Sequence, residues 1–286
     1  MAGPRVLVTG MSGLIGGALR KRLEGRVILR ALNRREMVGV DCRRADIADL
    51  AAIEPAFRDI DVVVHLAAAA GGGEPWESIL RHNLVGAYNV LEAARRAGVA
   101  RVIFASSGAP VTGYEREEPY ASLVAGKYAG LTSWPMLTHE TPLRPAALYG
   151  VSKAYGEALG AFYADKYGLR VLCIRIGYAD DRPVDRRRLS IWTSWRDLAQ
   201  LVRIGLTHAQ LRYAVVYGVS NNTRGFFDNE TAFRLGYRPQ DDAEQHAAAV
   251  LAEVPPEDPA LVGSHAMGGW GANNDYVGPV DRICEW

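Results

Sequence analysis

Tyr149 and Lys153 stand four residues apart in Leu148-Tyr149-Gly150-Val151-Ser152-Lys153, a spacing that puts both side chains on one face of a helix. A phenol with an ordinary pKa of about 10 is a poor base at neutral pH, but a neighbouring ammonium favours the phenolate and lowers that value. Such a phenol can take a hydroxyl proton as hydride leaves the adjoining carbon, or return it in the reverse direction. YxxxK alone is common by chance, and its bland counterpart is a packed tyrosine beside a solvated lysine. Position lifts it above chance: a strand ending Phe104-Ala105-Ser106-Ser107 precedes it, where a serine hydroxyl can hold a substrate oxygen against Tyr149. Ser107 is the expected residue, with Ser106 competing.

A second motif supplies what the hydride would require. Val6-Leu7-Val8-Thr9-Gly10-Met11-Ser12-Gly13-Leu14-Ile15-Gly16 spaces its glycines as GxxGxxG between a strand-like and a helix-like stretch. Gly10 permits a tight turn, Gly13 lets backbone approach a pyrophosphate, and Gly16 lets helix and strand pack closely. Free N–H groups around the helix start, with Ser12, Leu14 and Ile15 among the contacts, then face the phosphates. The alternative, a glycine turn that binds nothing, fits poorly with a motif that closes the first strand of a βαβ chain. A dinucleotide is the expected ligand.

About 20 residues further on, dinucleotide folds usually carry an acid for the ribose 2′-hydroxyl. Here the chain reads Ala31-Leu32-Asn33-Arg34-Arg35. An amide replaces the carboxylate that would repel a 2′-phosphate, and two guanidiniums follow that can bind one bidentately. NADP is therefore expected over NAD, against a reading of the arginines as solvated surface charge. Asp46, before Ile47, is placed to meet the adenine edge or else is a surface turn residue.

The elements that must position these groups follow from the pattern. Short apolar runs at Arg5–Val8, Val27–Ala31, Val62–Leu66, Val102–Ala105 and Val171–Ile176 alternate with helical stretches near 14–24, 76–97 and 149–167. That alternation predicts an α/β fold, a Rossmann doubly wound parallel sheet with its ligand over the carboxyl ends of the strands. After about residue 177 the regularity weakens, through Arg186-Arg187-Arg188, a helix-like Trp195–Ile204 and a strand-like Tyr213–Tyr217. The expected organisation is a dinucleotide-binding domain over 1–177, a small substrate cap over 178–254, and a Gly- and Pro-rich carboxyl-terminal arm over 255–286.

Composition narrows the partners. The chain has 286 residues, 49% hydrophobic and 23% charged, and its 33 basic and 32 acidic residues leave a charge of +1, which recruits neither nucleic acid nor an anionic membrane. Cys42, Cys173 and Cys284 are too far apart for a CxxC pair, and the six histidines show no HxxxH spacing, so no metal site is expected. The amino-terminal Met-Ala-Gly-Pro-Arg runs into a strand without an apolar leader pattern, and a cytoplasmic protein is expected.

TGxxGxxG at Thr9–Gly16, Val62-Val63-Val64-His65-Leu66-Ala67-Ala68, Asn83 in the next helix, the serine pair and YxxxK resemble the extended short-chain dehydrogenase/reductases, the NAD(P)-dependent epimerase/dehydratase group, over at least residues 5–177. The resemblance implies catalytic Ser107, Tyr149 and Lys153, with Lys153 also bonding the nicotinamide ribose. It further implies Leu66, Ala67, Ala68, Asn83 and Ile176 beside the cofactor. Members of the group commonly form homodimers through two helices, here near 83–97 and 149–167, and Ala154, Leu159, Phe162 and Tyr163 suit burial on more than one side.

The carboxyl half resembles the uronate dehydrogenase branch, through Ile174-Arg175-Ile176-Gly177, Arg187-Arg188-Leu189-Ser190-Ile191-Trp192, Val215–Ser220 and Leu235-Gly236-Tyr237-Arg238-Pro239. By that likeness Arg187 matches a guanidinium that grips a sugar carboxylate, with Ala70, Gly71, Gly108, Ala109 and Tyr178 around the substrate. Departures count against an identical substrate. Gly108-Ala109 replaces an Asn-His pair, Tyr178 replaces a serine, and the segment between Ser107 and Tyr149 is longer, which suits a lid that reshapes the pocket. The expected function is hydride transfer between a nicotinamide and a secondary alcohol or hemiacetal carbon of a small sugar-like molecule. A nucleotide-sugar epimerase uses the same trio, but the chain after Tyr149 is short for holding a nucleotide. A dinucleotide-binding regulatory protein is the non-enzymatic alternative.

Overall fold

The computed structural model describes residues 3–70 and 73–253. Among the described residues the strands are β1 (Arg5–Thr9), β2 (Ile28–Asn33), β3 (Asp41–Arg44), β4 (Val62–His65), β5 (Arg101–Ser107), β6 (Arg170–Ile176), β7 (Tyr178–Ala179), β8 (Trp192–Thr193) and β9 (Tyr213–Gly218). Seven form one parallel sheet in the order β3-β2-β1-β4-β5-β6-β9, and β7 pairs with β8 separately. The order reverses at β1, so a crevice opens there over the carboxyl ends of the strands.

Side chains alternate across this sheet with period two, and both faces are apolar because both are covered. Val6, Val8, Val62, Val64, Ile103, Leu172 and Ile174 face one core with Leu19, Leu23, Leu198 and Leu201 from helices Leu14–Leu23 and Trp195–Thr207. Leu7, Val63, Val102, Phe104, Val171 and Cys173 face the other, against Val90, Leu91, Tyr163 and Ala164 from helices Gly86–Arg96 and Leu148–Tyr167. The sheet is therefore doubly wound.

Three features differ from the sequence pattern. β3, whose four residues Asp-Cys-Arg-Arg carry no apolar signal, is a polar edge strand paired with β2 from Arg30↔Asp41 to Asn33↔Arg44. The stretch 178–254, expected as a cap beyond the sheet, returns to it: β9 pairs with β6 in parallel, Ile174 opposite Val216, and Trp195–Thr207 covers the face. The irregular run between β6 and Trp195 hides that return in the sequence. The helical stretch over 76–97 is wound more widely over Ile79–Val85 before tightening at Gly86. The arm 255–286 lies outside the described residues. Among the described residues no helix is long and apolar enough to cross a membrane.

The segment 108–148 is neither a bare excursion nor a free flap. Its 3-10 helix Ala109–Arg116 and short helix Tyr120–Val124 join a third core in which Val111, Tyr120, Leu123 and Leu137 meet Tyr217, Phe226 and Phe227. Leu137 donates to Phe226 O at 2.8 Å, Asp228 donates to Leu137 O at 2.9 Å, and the Trp134 indole donates to Gly225 O at 3.0 Å.

Candidate active site

The glycine turn between β1 and the first helix is shaped by two close approaches. Gly10 has φ +72°, and a Cβ there would lie 2.8 Å from Ala67 N, so any side chain would both strain the turn and strike the chain leaving β4. A Cβ at Gly16 would lie 2.5 Å from Met11 Cα, which is how the helix can start hard against its own strand. Gly13 is the residue before the helix and supplies no side-chain cap, and the first turn holds no acid. The first N–H groups of that helix therefore face the crevice with their partial positive charge uncancelled.

A cavity of about 650 Å³ opens in front of this turn. Gly10, Ser12, Gly13, Asn33, Arg34, Arg35, Asp46, Ile47, Leu66, Ala67 and Ala68 line it, as does Ala70, expected at the substrate instead. Leu14 lies exposed at the helix start, whereas Ile15 packs against the core beneath. Gly71 lies outside the described residues. Ser78 and His82 also line the cavity and were not singled out from the sequence; nothing in their spacing marks them, because the long helix after β4 brings them there. The cavity's size, its glycine floor and its helix terminus fit a dinucleotide.

At the β2 end, Asn33 is buried and works as a strut. Its Oδ1 accepts from Ser12 N at 3.4 Å and its Nδ2 donates to Met37 Sδ at 2.8 Å. Arg34 and Arg35 stand exposed at the rim, and Arg44, at the end of β3, joins Arg34 around an adjoining depression. Arg44 was missed because its strand was missed. Asp46 lines the cavity, but its carboxylate accepts from Ala48 N at 3.0 Å and from the Arg81 guanidinium at 3.1 Å. Burial pushes its pKa up, yet these bonds outweigh it and hold the carboxyl below its usual range.

β5 delivers its last two side chains to opposite faces, and this separates the two serines. Ser106 is buried and donates to Glu157 Oε1 at 2.6 Å. Ser107 accepts from Ala109 N at 3.1 Å. Burial raises the Tyr149 phenol to about 12, while the Ser107 hydroxyl pulls it down. The Lys153 ammonium lies 5.4 Å from the Tyr149 ring centroid and donates to Ala105 O at 2.7 Å. Burial brings Lys153 down to about 8, while the charge of Glu157 supports its protonated form.

Asn83 does not line the cavity. Its amide clamps Ala69, accepting from N at 2.7 Å and donating to O at 3.0 Å, and also donates to Ser152 Oγ at 3.0 Å; Ser152 in turn donates to Tyr149 O at 2.7 Å. The helix carrying Tyr149 is thus pinned to the chain leaving β4. Behind it, His65 Nδ1 stands 2.7 Å from Thr9 Oγ1, and burial together with the Lys153 charge lowers its pKa to about 3.

The remaining residues expected at the substrate come from the ends of β5 and β6. Gly108 donates to Ile176 O at 3.1 Å, so Ile176, itself buried, holds the chain just after Ser107. Tyr178 donates to Asp180 at 2.8 Å, with the Arg188 guanidinium 4.6 Å above its ring. Arg187 is buried and paired with Glu115, 3.5 Å from its carboxylate. Sequence spacing had no means of pairing these two, which lie 72 positions apart.

Hydride chemistry requires a rigidly held dinucleotide and a proton carrier beside the reacting carbon. The carboxyl edge of this sheet has a cavity sized for the first and a buried phenol, Tyr149, of the chemistry the second requires, and the chain is a Rossmann-fold oxidoreductase. It belongs to the NAD dependent epimerase/dehydratase family, whose model matches residues 6–178. It is 35% identical to the uronate dehydrogenase of Pseudomonas putida over 93% of this chain and 96% of that one. It is 32% identical to the L-arabinose 1-dehydrogenase (NAD(P)(+)) of Haloferax volcanii over 84% of this chain and 97% of that one. A mutant uronate dehydrogenase from Agrobacterium tumefaciens, crystallised with NAD, superposes with TM-score 0.84 at 32% identity, covering 98% of this chain and 99% of that one. A nicotinamide dinucleotide is the cofactor of this family, and the epimerase alternative has the weaker support.

Proposed function

We propose that the chain oxidises a free sugar at its hemiacetal carbon, with NADP preferred over NAD. The observation that carries this reading is the buried Tyr149 phenol with the Lys153 ammonium 5.4 Å from its ring and the Ser107 hydroxyl lowering its pKa, together with the cavity in front of the glycine turn. When bound, the nicotinamide accepts the hydride. Ser107 orients the substrate hydroxyl, Tyr149 takes its proton, and the Lys153 ammonium lowers the cost of the phenolate that the free protein's buried phenol resists. Support for NADP comes from the β2 end, where Asn33 contributes no negative charge and Arg34, Arg35 and Arg44 cluster at the rim.

The same reading takes the enzyme as a cytoplasmic homodimer joined through the helices over 79–96 and 148–167. Val85, Tyr88, Val151, Tyr155 and Phe162 stand exposed there.

The test incubates the pure protein with NAD or NADP and a panel of free aldoses, free uronic acids and nucleotide sugars, following absorbance of the reduced nicotinamide. Net reduction with a free sugar, at a lower KM for NADP, is expected. Isomer exchange of a nucleotide sugar without net reduction would overturn the dehydrogenase reading, and a preference for NAD would overturn the role of the arginines.

A further inference from the structure

We infer that Glu157 is a positioning residue for the proton transfer at Tyr149: clamped by Arg175 and Ser106, it supplies the counter-charge that keeps Lys153 an ammonium without drawing it into an ion pair. The inference rests on the dehydrogenase reading above. Tyr149, Lys153 and Glu157 recur at every fourth position of the helix Leu148–Tyr167, so all three lie along one side of it. That side meets the end of β5. Lys153 Nζ donates to Ala105 O at 2.7 Å, Ser106 Oγ donates to Glu157 Oε1 at 2.6 Å, and the next residue, Ser107, acts on the Tyr149 phenol. Glycine brings the helix this close to the sheet: a Cβ at Gly156 would lie 2.2 Å from Phe104 Cζ, and one at Gly160 3.0 Å from Val171 Cγ1.

A buried ammonium needs a counter-charge. Lys153 and Glu157 are each 5% exposed; burial brings the Lys153 amine down to about 8, and the charge of Glu157 opposes that fall. The other groups facing Lys153 among the described residues cannot serve. On its own helix Tyr149 keeps its proton in the free protein, since burial holds the phenol at about 12. From β5, Phe104 offers only the face of its ring, 5.1 Å from Nζ. From β4, His65 is uncharged, its pKa lowered to about 3 by burial and by the Lys153 charge. From β6, Arg175 is itself a cation.

Yet among the described residues no ion pair joins Glu157 to Lys153. The Glu157 carboxylate accepts from Arg175 Nε at 2.9 Å and Nη2 at 2.8 Å as well as from Ser106, while Lys153 Nζ is committed to Ala105 O. Arg175 is anchored in turn, donating to the Tyr217 hydroxyl at 3.1 Å. A carboxylate free to turn would close on the ammonium and pull it from Tyr149, because opposite charges attract strongly where water is excluded. Forked bonds from a guanidinium fix its direction instead. Glu157 therefore acts on Lys153 through space, and the ammonium stays beside the phenol.

The chain has four lysines, so the full-length protein enriched in carbon-13 at the lysine ε-carbons gives an NMR spectrum in which Lys153 is assigned by its loss in Lys153→Met. Its titration is followed beside the pH profile of kcat, with NAD or NADP and with glucose, arabinose, glucuronate and galacturonate as probe sugars, in the wild type, Glu157→Gln and Arg175→Gln, melting temperature being the check on folding. The wild-type midpoint of Lys153 is expected at about 8. Glu157→Gln should move it down by about one pH unit, and the alkaline limb of kcat should follow, because the ammonium that favours the phenolate loses its proton earlier. Arg175→Gln should raise the midpoint, as the released carboxylate closes on the ammonium, and should still lower kcat. A pair that only braces the fold would not move the midpoint in opposite directions. An unchanged midpoint in a folded Glu157→Gln overturns the inference, as does a shifted midpoint that the kcat limb does not follow, and a fall in Arg175→Gln overturns the clamp. Should a single variant not fold, the double variant Glu157→Gln/Arg175→Gln, which removes both charges together, decides: a midpoint that falls supports the inference and one that stays overturns it. Failure to oxidise any probe sugar with either nicotinamide overturns the underlying reading and the role in turnover with it, whatever the titration shows.

Discussion

At Tyr149 two influences oppose each other: burial raises the phenol to about 12, and the Ser107 hydroxyl pulls it down. The proton is therefore retained at neutral pH in the free protein, and under the proposed function its departure would belong to the loaded site, with the Lys153 ammonium 5.4 Å from the ring centroid. Tyr149→Phe keeps the ring and its packing and removes only the hydroxyl, so kcat should fall by about 10²- to 10⁴-fold in a steady-state assay. His65 makes a separate prediction about stability. Its folded pKa is about 3 against an ordinary 6.5. The unfolded chain thus binds the proton first, and stability is present in full above pH 6.5 and declines as pH falls from there toward 3. At about pH 5 the loss is on the order of 2 kcal/mol, readable as a lower urea midpoint than at neutral pH. His65→Gln should flatten that slope, and an equal slope in the variant would place the acid sensitivity elsewhere.

Between elements, one ion pair fastens the helix bearing Tyr149 to the sheet. Glu157, one turn past Lys153, accepts from Arg175 of β6 at 2.9 and 2.8 Å and from Ser106 of β5 at 2.6 Å. Arg175 continues to the Tyr217 hydroxyl of β9 at 3.1 Å, which donates to Thr138 O of the 108–148 segment at 3.1 Å. Glu157→Ala leaves a buried guanidinium uncompensated and should cost about 3–5 kcal/mol in denaturant unfolding. It should also take a supporting charge from Lys153, lowering its pKa further below 8. Elements of this kind were legible where a local signal was strong. The buried runs of β1, β4, β5 and β6, the glycine turn and the Tyr149–Lys153 spacing could all be read directly from the residues. β3 was not, because an edge strand of Asp, Cys and two Arg has no apolar alternation, and with it went Arg44. The pairings Ser106–Glu157 and Glu115–Arg187 were also out of reach, since they depend on which face of β5 each serine takes and on how the 108–148 segment folds back.

Across the whole molecule, the two faces of the sheet are covered by helices, and the third core walls its carboxyl edge where the substrate would lie. A group of exposed apolar side chains lies on two neighbouring helices. Val151, Tyr155 and Phe162 repeat along one side of Leu148–Tyr167, and Val85 and Tyr88 lie on the neighbouring helix. Side chains this large, repeated at helical spacing on adjacent helices, are a poor surface for a monomer in water. Two copies related by a twofold axis would bury both stripes against each other as four helices, with the same patch serving each partner. Phe162, 48% exposed and outside every catalytic contact, offers the clean test. Phe162→Glu places a charge in the centre of this proposed interface, at the expense of the edge contacts of Phe162 with Tyr163 and Tyr167. The wild type should run as a dimer in size-exclusion chromatography with light scattering, and the variant as a folded monomer with its melting temperature lowered by loss of the partner. A wild type that is monomeric at micromolar concentration would dismiss the interface, and a variant that stays dimeric would move it to another face.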